Sequence, residues 1–317
     1  PDESALAAFC QQPDILPQDN SATADAAPGA DYEVGTVIAV GVSHDKIVIA
    51  ADSRNTQFFK KRLPDGTFAT ETKYDDCACK VTQLTPTMLF AGDGLVRAND
   101  TTPGAIPGAI LYDAHRLARL AARSYHSNPQ EEEVDGGKIA AIANHWAWDV
   151  DFRMRHGFAK GWTPVWAMTL EGIFAGLESD GEIAIAVAKL EYPKPRPGLS
   201  VPPVTLTVGR FQAVPTEVTW VRAFGMNDVA QTYYFGRTAA EQARDENKRI
   251  SSEIQKDPKL FDPRIPELLV DLTIRSYQSA AGLNGPLYVH GPIDSAVLER
   301  KKEITWIHKK QCSIAAR

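Results

Sequence analysis

The chain has few cysteines, no long apolar run and no concentration of positive charge. Its 4 cysteines match neither a disulfide framework nor the paired spacing of a zinc site. No apolar stretch approaches the roughly 18 residues that a membrane-spanning helix needs. The formal net charge is −6, and the basic residues form no tract suited to nucleic acid. We therefore expect no metal, no cofactor, no nucleic-acid partner and no membrane span.

The cysteines and the first residue leave the compartment open. Cys77 and Cys79 are separated by one residue, and we interpret them as incidental loop thiols rather than a metal clip. The first residue is Pro1, which removal of a secretory signal would explain. In an oxidising compartment a disulfide such as Cys10–Cys312 would be permitted. A secreted or periplasmic protein and a numbering that simply starts here both fit the sequence.

The chain divides into an arm and a folded region. With 317 residues, of which 44% are hydrophobic, it can bury a large core in one domain or two. Residues 1–34 are rich in Ala, Asp, Pro and Gln and show no sustained periodicity. That composition favours a loosely structured, propeptide-like arm. Regular apolar runs begin after it, so we predict an N-terminal arm over 1–34 and one domain over 35–317.

Two short apolar runs carry the strongest functional signal. They cover residues 37–42 and 46–51, and the polar residues between them predict a tight hairpin of buried strands. Thr36 heads the first strand and Asp52 ends the second. Because a hairpin folds the chain back on itself, these two side chains should lie side by side. Lys80, which opens a later strand, is the candidate cation for the same place.

This set of residue types suits acyl transfer. A threonine hydroxyl becomes a nucleophile when a base takes its proton, and a free α-amine on the same residue can serve. Such an amine has a pKa of roughly 7.7–8.0, and a neighbouring ammonium lowers that pKa further. Asp52 would hold Lys80 in place, while the backbone N–H of Gly92 would face the developing oxyanion. The amine becomes available only if the Gly35–Thr36 bond is cut.

The order of these elements resembles the start of proteasome β-subunits and related N-terminal-nucleophile (Ntn) hydrolases. Gly-Thr at 35–36, a strand, and Ala-Ala-Asp-Ser-Arg at 50–54 match the family's spacing without a gap. Lys-Val at 80–81 is similar to the family's lysine segment, although a longer connection precedes it here. Met-Leu-Phe-Ala-Gly-Asp-Gly at 88–94 resembles the strand and turn that carry the oxyanion donor. The close match covers about 35–98, and a looser one continues to about 307.

The resemblance implies a fold, an activity and an assembly. The fold is α+β, a four-layer αββα sandwich in which two antiparallel sheets pack between helical layers. The activity is that of a threonine protease or amidohydrolase that processes itself at Gly35–Thr36 and then cleaves a peptide or amide substrate. Copies of the chain would associate in a ring or another symmetric homo-oligomer, and the compartment would be the cytoplasm.

The same resemblance assigns residues to roles. The catalytic candidates are Thr36, Asp52, Lys80 and Gly92, with Gly35 at the processing position. By matched position, the candidates for substrate binding are Arg54, Asn55, Ala78 and Phe90. Because Phe90 is apolar, we expect an uncharged hydrophobic residue before the scissile bond.

The distribution of patterns along the chain agrees with this fold and disagrees with regular βα alternation. The connection over about 57–79 carries a Pro-Asp-Gly turn and is treated as an inserted loop that includes a small hairpin. Further strands are expected at about 79–84, 87–92, 166–179, 182–190, 204–211, 217–224, 291–298 and 303–308. Helices are expected at about 107–123, 138–156, 229–235, 238–255 and 265–281.

Three functions stay open at this point. The first is the self-processing threonine hydrolase. The second is a catalytically idle shell subunit, because Gly-Met-Asn-Asp at 225–228 replaces the family's serine turn, and Ser276 and Ser279 have no aspartate at the family's spacing. The third is a small-molecule amidase, favoured if the 57–79 connection narrows the pocket. Trp146 and Trp148 face different sides of one predicted helix, which favours association of copies.

Overall fold

The computed structural model describes residues 32–34, 37–43, 45–65, 68–76, 78–102, 104–106, 109–127, 137–162, 168–192, 205–212, 220–225, 264–268, 270–271, 273–274, 289 and 291–309. The strands are β1 (Tyr32–Val34), β2 (Val37–Val42), β3 (Lys46–Ala51), β4 (Asn55–Arg62), β5 (Phe68–Asp75), β6 (Val81–Thr85), β7 (Met88–Gly94), β8 (Arg97–Asn99), β9 (Ile110–Asp113), β10 (Met168–Leu177), β11 (Ile183–Tyr192), β12 (Thr205–Gln212), β13 (Trp220–Gly225), β14 (Asp294–Glu299) and β15 (Thr305–His308). The helices with defined ends are α1 (Ala114–Ser127) and α2 (Gly137–Ala159), and residues 265–268, 270–271 and 273–274 are also helical. None of the helices described here is long and apolar enough to cross a membrane.

The described strands form three sheets of five strands each. Sheet A has the order β5-β4-β1-β8-β9, sheet B the order β13-β2-β3-β14-β15, and sheet C the order β12-β11-β10-β7-β6. Each strand pair within the described ranges is antiparallel. The fold is therefore mixed α/β with antiparallel sheets, as the pattern of short strands and helices predicts.

Sheets B and C pack face to face. Alternate residues of β2 and β3, such as Ile38 and Ile49, contact alternate residues of β7 and β10, such as Ala91 and Ile173, and all four are buried. This alternation is the expected signature of strands with one face toward a core. At roughly 25 cal/mol per Å², burial of such side chains is the main favourable term that holds the two sheets together.

The helices cover the opposite face of sheet C. Trp146 of α2 is fully buried, contacts Phe90 and Phe174 of the sheet, and donates its indole N–H to the carbonyl of Ala114 at 2.9 Å. A Cβ on Gly172 would lie 2.5 Å from the Trp146 ring, so glycine is what lets the helix sit this close. The indole therefore fixes the distance between α2 and the sheet.

Local signals explain where the two helices begin and end. Asp113 accepts a hydrogen bond from the N–H of Arg116 at 2.8 Å, as an N-cap residue of α1 does. The carboxylate of Glu178, from the turn between β10 and β11, accepts the N–H of Lys138 at 2.7 Å at the start of α2. Gly161, with φ of 91°, ends α2 in the left-handed conformation typical of a C-terminal cap.

The structure corrects three parts of the sequence-based prediction. The helix predicted from residue 107 begins at Ala114, because Ile110–Asp113 form β9 and Asp113 is the cap. A run of three apolar and aromatic residues fits either a strand or a helix, and the Asp113 cap that follows it decides between them. The 57–79 connection contains the hairpin β4–β5, as predicted, but this hairpin belongs to sheet A, which is a third sheet in addition to the two predicted. Tyr32–Val34, at the end of the predicted arm, form β1 of that sheet.

Other predicted features lie outside the described residues. They are the rest of the arm, Gly35, Thr36, the turn after Gly225, Ser276, Ser279 and the helices at 229–235 and 238–255.

Candidate functional site

The carboxylate of Asp52 is the centre of the candidate site. Asp52 is fully buried directly after β3. Its Oδ1 accepts the backbone N–H of Val37 at 2.9 Å and the ammonium of Lys80 at 3.2 Å, and its Oδ2 accepts the N–H of Arg54 at 3.1 Å. Val37 is the residue that follows Thr36 in the chain. One buried carboxylate therefore joins the start of β2, the end of β3 and the candidate lysine.

Lys80 is almost as buried as its partner. Its side chain is 3% exposed, and its Nζ also donates to the backbone carbonyl of Arg54. A buried ammonium is stable only when a counter-ion and further acceptors replace its water. The Asp52 carboxylate and the Arg54 carbonyl supply that environment, so the orientation of Lys80 is fixed by the residues around the end of β3.

Strand register brings Gly92 to the same place. Val81 of β6 lies opposite Ala91 of β7, so the next step of this antiparallel register puts Lys80 opposite Gly92. On its other side Gly92 lies opposite Gly172 of β10. A Cβ on Gly92 would approach the Phe90 ring at 3.3 Å, which is tight packing, so glycine here has a structural reason as well as the predicted catalytic one.

The predicted nucleophile and the residue before it lie outside the described part of the chain. The described backbone ends on one side at Val34, opposite Thr56, and resumes on the other at Val37, opposite Gly225. The role of Thr36 as nucleophile and that of Gly35 as the processing position therefore stay predictions.

Three of the predicted substrate-binding residues lie at the base of the β4–β5 hairpin. Arg54 forms a two-pronged ion pair with Asp76, with distances of 2.5 and 2.6 Å, and its guanidinium lies 4.8 Å from the centre of the Tyr74 ring. Asn55 begins β4 opposite Asp75, and the N–H of Ala78 donates to the carbonyl of Ser53 at 3.1 Å. The hairpin is thus tied to the segment that carries Asp52.

Phe90 has a different environment from the other three. It is fully buried between sheet C and the helices, where its ring lies 5.5 Å from that of Trp146 and 4.9 Å from that of Phe174. These contacts make Phe90 a core residue. Its predicted role as the wall of a substrate pocket stays a prediction.

A glycine turn supports the segment between Asp52 and Arg54. Ser53 is fully buried and donates its hydroxyl to the carbonyl of Pro292. Gly291 has φ of 88°, and a Cβ there would lie 2.9 Å from the Asp76 carbonyl and 3.0 Å from the Ser53 Cβ. Only glycine permits both that backbone conformation and that approach. The turn before β14 therefore packs against Ser53, in the segment that carries Asp52, and against Asp76, at the end of the β4–β5 hairpin.

Two further acidic residues near the site were not singled out from the sequence. Asp76 pairs with Arg54, as described above. Asp93 is buried beside Gly92, and burial, followed by the charge of Glu171 on β10, raises the pKa of Asp93 to about 7. No spacing rule marks either residue, since each acquires its partner only through strand pairing. A polar residue in the otherwise apolar run 88–94 was the available signal for Asp93.

Cys79, directly before Lys80, is disulfide-bonded. Its interpretation as an incidental free thiol is therefore wrong. The partner sulfur belongs to Cys10, Cys77 or Cys312, all of which lie outside the described residues. Within the described ranges no three His, Cys, Asp or Glu side chains converge as a metal site would require.

Comparisons with known proteins add little to this geometry. No family model matches the chain, and no curated protein matches it. Among solved structures, the chain is similar to Anbu (ancestral beta-subunit) from Yersinia bercovieri, with 11% identity over 86% of this chain and 87% of that chain and a TM-score of 0.36.

Proposed function

We propose that this chain is an Ntn-type threonine hydrolase that cleaves peptide or amide bonds after the Gly35–Thr36 bond is cut. The observation that carries the proposal is the Asp52 carboxylate, which bonds both the residue after Thr36 and the ammonium of Lys80. Gly92, opposite Lys80 by register, completes the set. A hydroxyl, an ammonium, a buried carboxylate and a backbone donor are what acyl transfer by threonine needs.

The proposed reaction has two stages. In processing, the Thr36 hydroxyl attacks the Gly35 carbonyl carbon, the C–N bond breaks as its nitrogen takes a proton, and water hydrolyses the resulting ester. In turnover, the freed α-amine takes the hydroxyl proton as the oxygen attacks a substrate carbonyl, and that proton passes to the leaving amine, which leaves the acyl group as an ester on Thr36. Water then attacks this ester, which releases the acid product and restores the Thr36 hydroxyl. Lys80 favours the negatively charged oxygen, and Asp52 keeps Lys80 charged and oriented.

For the fold, we propose the four-layer αββα sandwich. Its support is the packing on both outer faces of the paired sheets. The helices α1 and α2 cover sheet C, and the helical residues Val270 and Ile274 contact Val37 and Ala39 on the outer face of sheet B.

The test is the intact mass of the purified protein, combined with an amide-hydrolysis assay. Thr36→Ser keeps a hydroxyl and should still process, whereas Thr36→Ala should remain full length and inactive. Thr36→Ala removes only a methyl and a hydroxyl, so its stability should stay within about 1 kcal/mol of the wild type. Processing or normal turnover by Thr36→Ala would refute the assignment of the nucleophile.

A catalytically idle shell subunit is the second candidate. Two aromatic side chains favour it, because Trp148 is 65% exposed and Phe152 is 71% exposed on the outer side of α2. Adjacent exposed aromatic residues of this size often mark an interface. An unprocessed, inactive wild type that nevertheless forms a defined oligomer would favour this reading over the enzyme.

A further inference from the structure

The face of sheet C that looks toward sheet B changes from apolar to charged along its strands. On β10 and β11 this face begins with the apolar pair Leu177–Ile183 and ends with Glu171 opposite Lys189. On β7 the same face changes from the apolar Ala91 to the acidic Asp93 two residues later. Asp93 is 5% exposed and the Glu171 side chain 15% exposed. A row of buried and half-buried charges therefore closes this end of the core between the sheets.

Asp93 and Glu171 lie directly opposite each other in adjacent strands. Two ionised carboxylates in this relation repel each other, and the repulsion is stronger when water is excluded. Lys189 lies 3.8 Å from Glu171 and offsets the charge of that residue. Asp93 accepts the N–H of Gly94 at 2.5 Å, and its burial still raises its pKa to about 7. Glu171 is thus the member better placed to carry the negative charge.

The pair is coupled to the candidate site. Asp93 follows Gly92 in the chain, and its charged neighbours come from three elements: Glu171 on β10, Lys80 before β6 and Asp52 after β3. Lys80 lowers the pKa of Asp93, whereas Asp52 raises it. Such interactions are mutual, so the charge of Asp93 acts on Lys80 in return.

We propose that Asp93 and Glu171 form an acid pair that shares one proton at neutral pH, and that Asp93 is a positioning residue that sets the charge around Lys80. With the proton in place, the charges of Asp52 and Lys80 balance. When the proton leaves, the added negative charge competes with Asp52 for Lys80 and opposes a negatively charged oxygen beside Gly92. The acid pair is inferred from the strand register and the burial of its members, and only its effect on turnover rests on the proposed function.

The first experiment measures unfolding by urea between pH 4 and pH 8 for the full chain and four variants. They are Asp93→Asn, Glu171→Gln, the double variant, and Glu191→Gln, whose carboxylate contacts the same Lys189 at 2.7 Å but is half exposed. When the pKa of an acid is higher in the folded state than in the unfolded state, the unfolding constant rises with pH between the two pKa values, by at most tenfold per pH unit. For Asp93 this range is about pH 4 to 7.

The expected result is specific to the pair. The ratio of the wild-type unfolding constant to that of Asp93→Asn should rise with pH from about 4 to 7 and then level off. Glu171→Gln should move that pH window to lower pH, and Glu191→Gln should leave it in place. The gain in stability of the double variant over the wild type should be smaller than the sum of the gains of the two single variants. A ratio that stays flat, or a window that Glu171→Gln does not move, would overturn the acid pair.

The second experiment uses the rate of processing or amide hydrolysis. The ratio of the Asp93→Asn rate to the wild-type rate should rise above about pH 7, where only the wild type gains a negative charge beside Lys80. An equal pH profile in the two proteins would overturn the positioning role even if the stability data support the pair. If no variant cleaves anything, the proposed function fails, and the stability measurement still decides whether the acid pair exists.

Discussion

The backbone N–H of Val37 donates to Oδ1 of Asp52 at 2.9 Å, while the N–H of Asp52 donates to the carbonyl of Val37 at 3.2 Å. This reciprocal pair closes the open end of the β2–β3 hairpin, fifteen residues apart in the chain. The same Oδ1 atom of Asp52 also accepts a hydrogen bond from the Lys80 ammonium. The position of the candidate lysine is therefore coupled to the backbone immediately after Thr36.

The buried Asp52–Lys80 pair should be essential for stability. Lys80→Ala leaves a fully buried carboxylate without its counter-ion, and we expect a loss of about 3–5 kcal/mol in the free energy of unfolding. Asp52→Asn with Lys80→Met removes both charges and should cost less than the two single changes together. Denaturant unfolding checks this, with the exposed Lys73→Ala as a control expected to change stability by less than about 1 kcal/mol. A small effect of Lys80→Ala would contradict the burial described here.

His115 should make stability depend on acid. Its ring contacts the Thr82 hydroxyl through Nδ1 at 2.9 Å, and burial lowers the pKa of His115 from 6.5 to about 4. As the pH falls, His115 therefore takes up a proton in the unfolded chain before it does so in the folded one. The protonation favours the unfolded state, so stability decreases as the pH falls from about 6.5 to 4. His115→Gln should remove this pH dependence, whereas His145→Gln, at a side chain that is half exposed, should leave it in place. Equal pH profiles for wild type and His115→Gln would contradict the assignment.

Exposed aromatic residues on α2 should mediate self-association. Trp148 and Phe152 lie one helical turn apart and are mostly exposed. We expect light scattering at micromolar concentration to give several times the chain mass of 34.7 kDa. Trp148→Ser with Phe152→Ser should lower that mass, while Ile106→Ser, an exposed apolar residue away from α2, should leave it unchanged. A wild-type mass near that of one chain would contradict association.

Reduction of the Cys79 disulfide should weaken the site segment. Cys79 precedes Lys80, and opening a native disulfide typically costs about 2–4 kcal/mol. We expect a dithiol reductant to lower the melting temperature of the wild type, and to have no such effect on Cys79→Ser. Peptide mapping after alkylation identifies the partner among Cys10, Cys77 and Cys312. Recovery of Cys79 as a free thiol from the unreduced protein would contradict the bond.

Substrate preference is a separate prediction. If Phe90 borders the pocket before the scissile bond, peptides with a hydrophobic residue there should be cleaved faster than those with Glu or Arg. Because Phe90 is also a core residue, Phe90→Leu should reduce stability as well as change the preference. A panel of peptides that differ only at this position measures the preference, and a preference for an acidic or basic residue would refute it.

Local patterns were enough to predict the hairpins and helix α2, but not sheet A. The β2–β3 and β10–β11 pairs each join neighbours in sequence, and their turn residues mark them. In sheet A, by contrast, β1 lies between β4 and β8, which are distant in the chain. The same limit applies to the site. Asp52 follows a recognisable strand, whereas Asp76 and Asp93 depend on partners that only the folded sheets supply.

The central place of β1 in sheet A has a consequence for any cut after Gly35. Its backbone pairs with β4 on one side and β8 on the other, so cleavage would free a chain end without detaching the segment that precedes it. Departure of that segment would leave two strand edges separated by a slot about 10 Å wide, the room that one extended chain needs between them. As long as the segment stays paired, the slot is filled, and the facing edges of β4 and β8 become available for backbone pairing only after β1 has left.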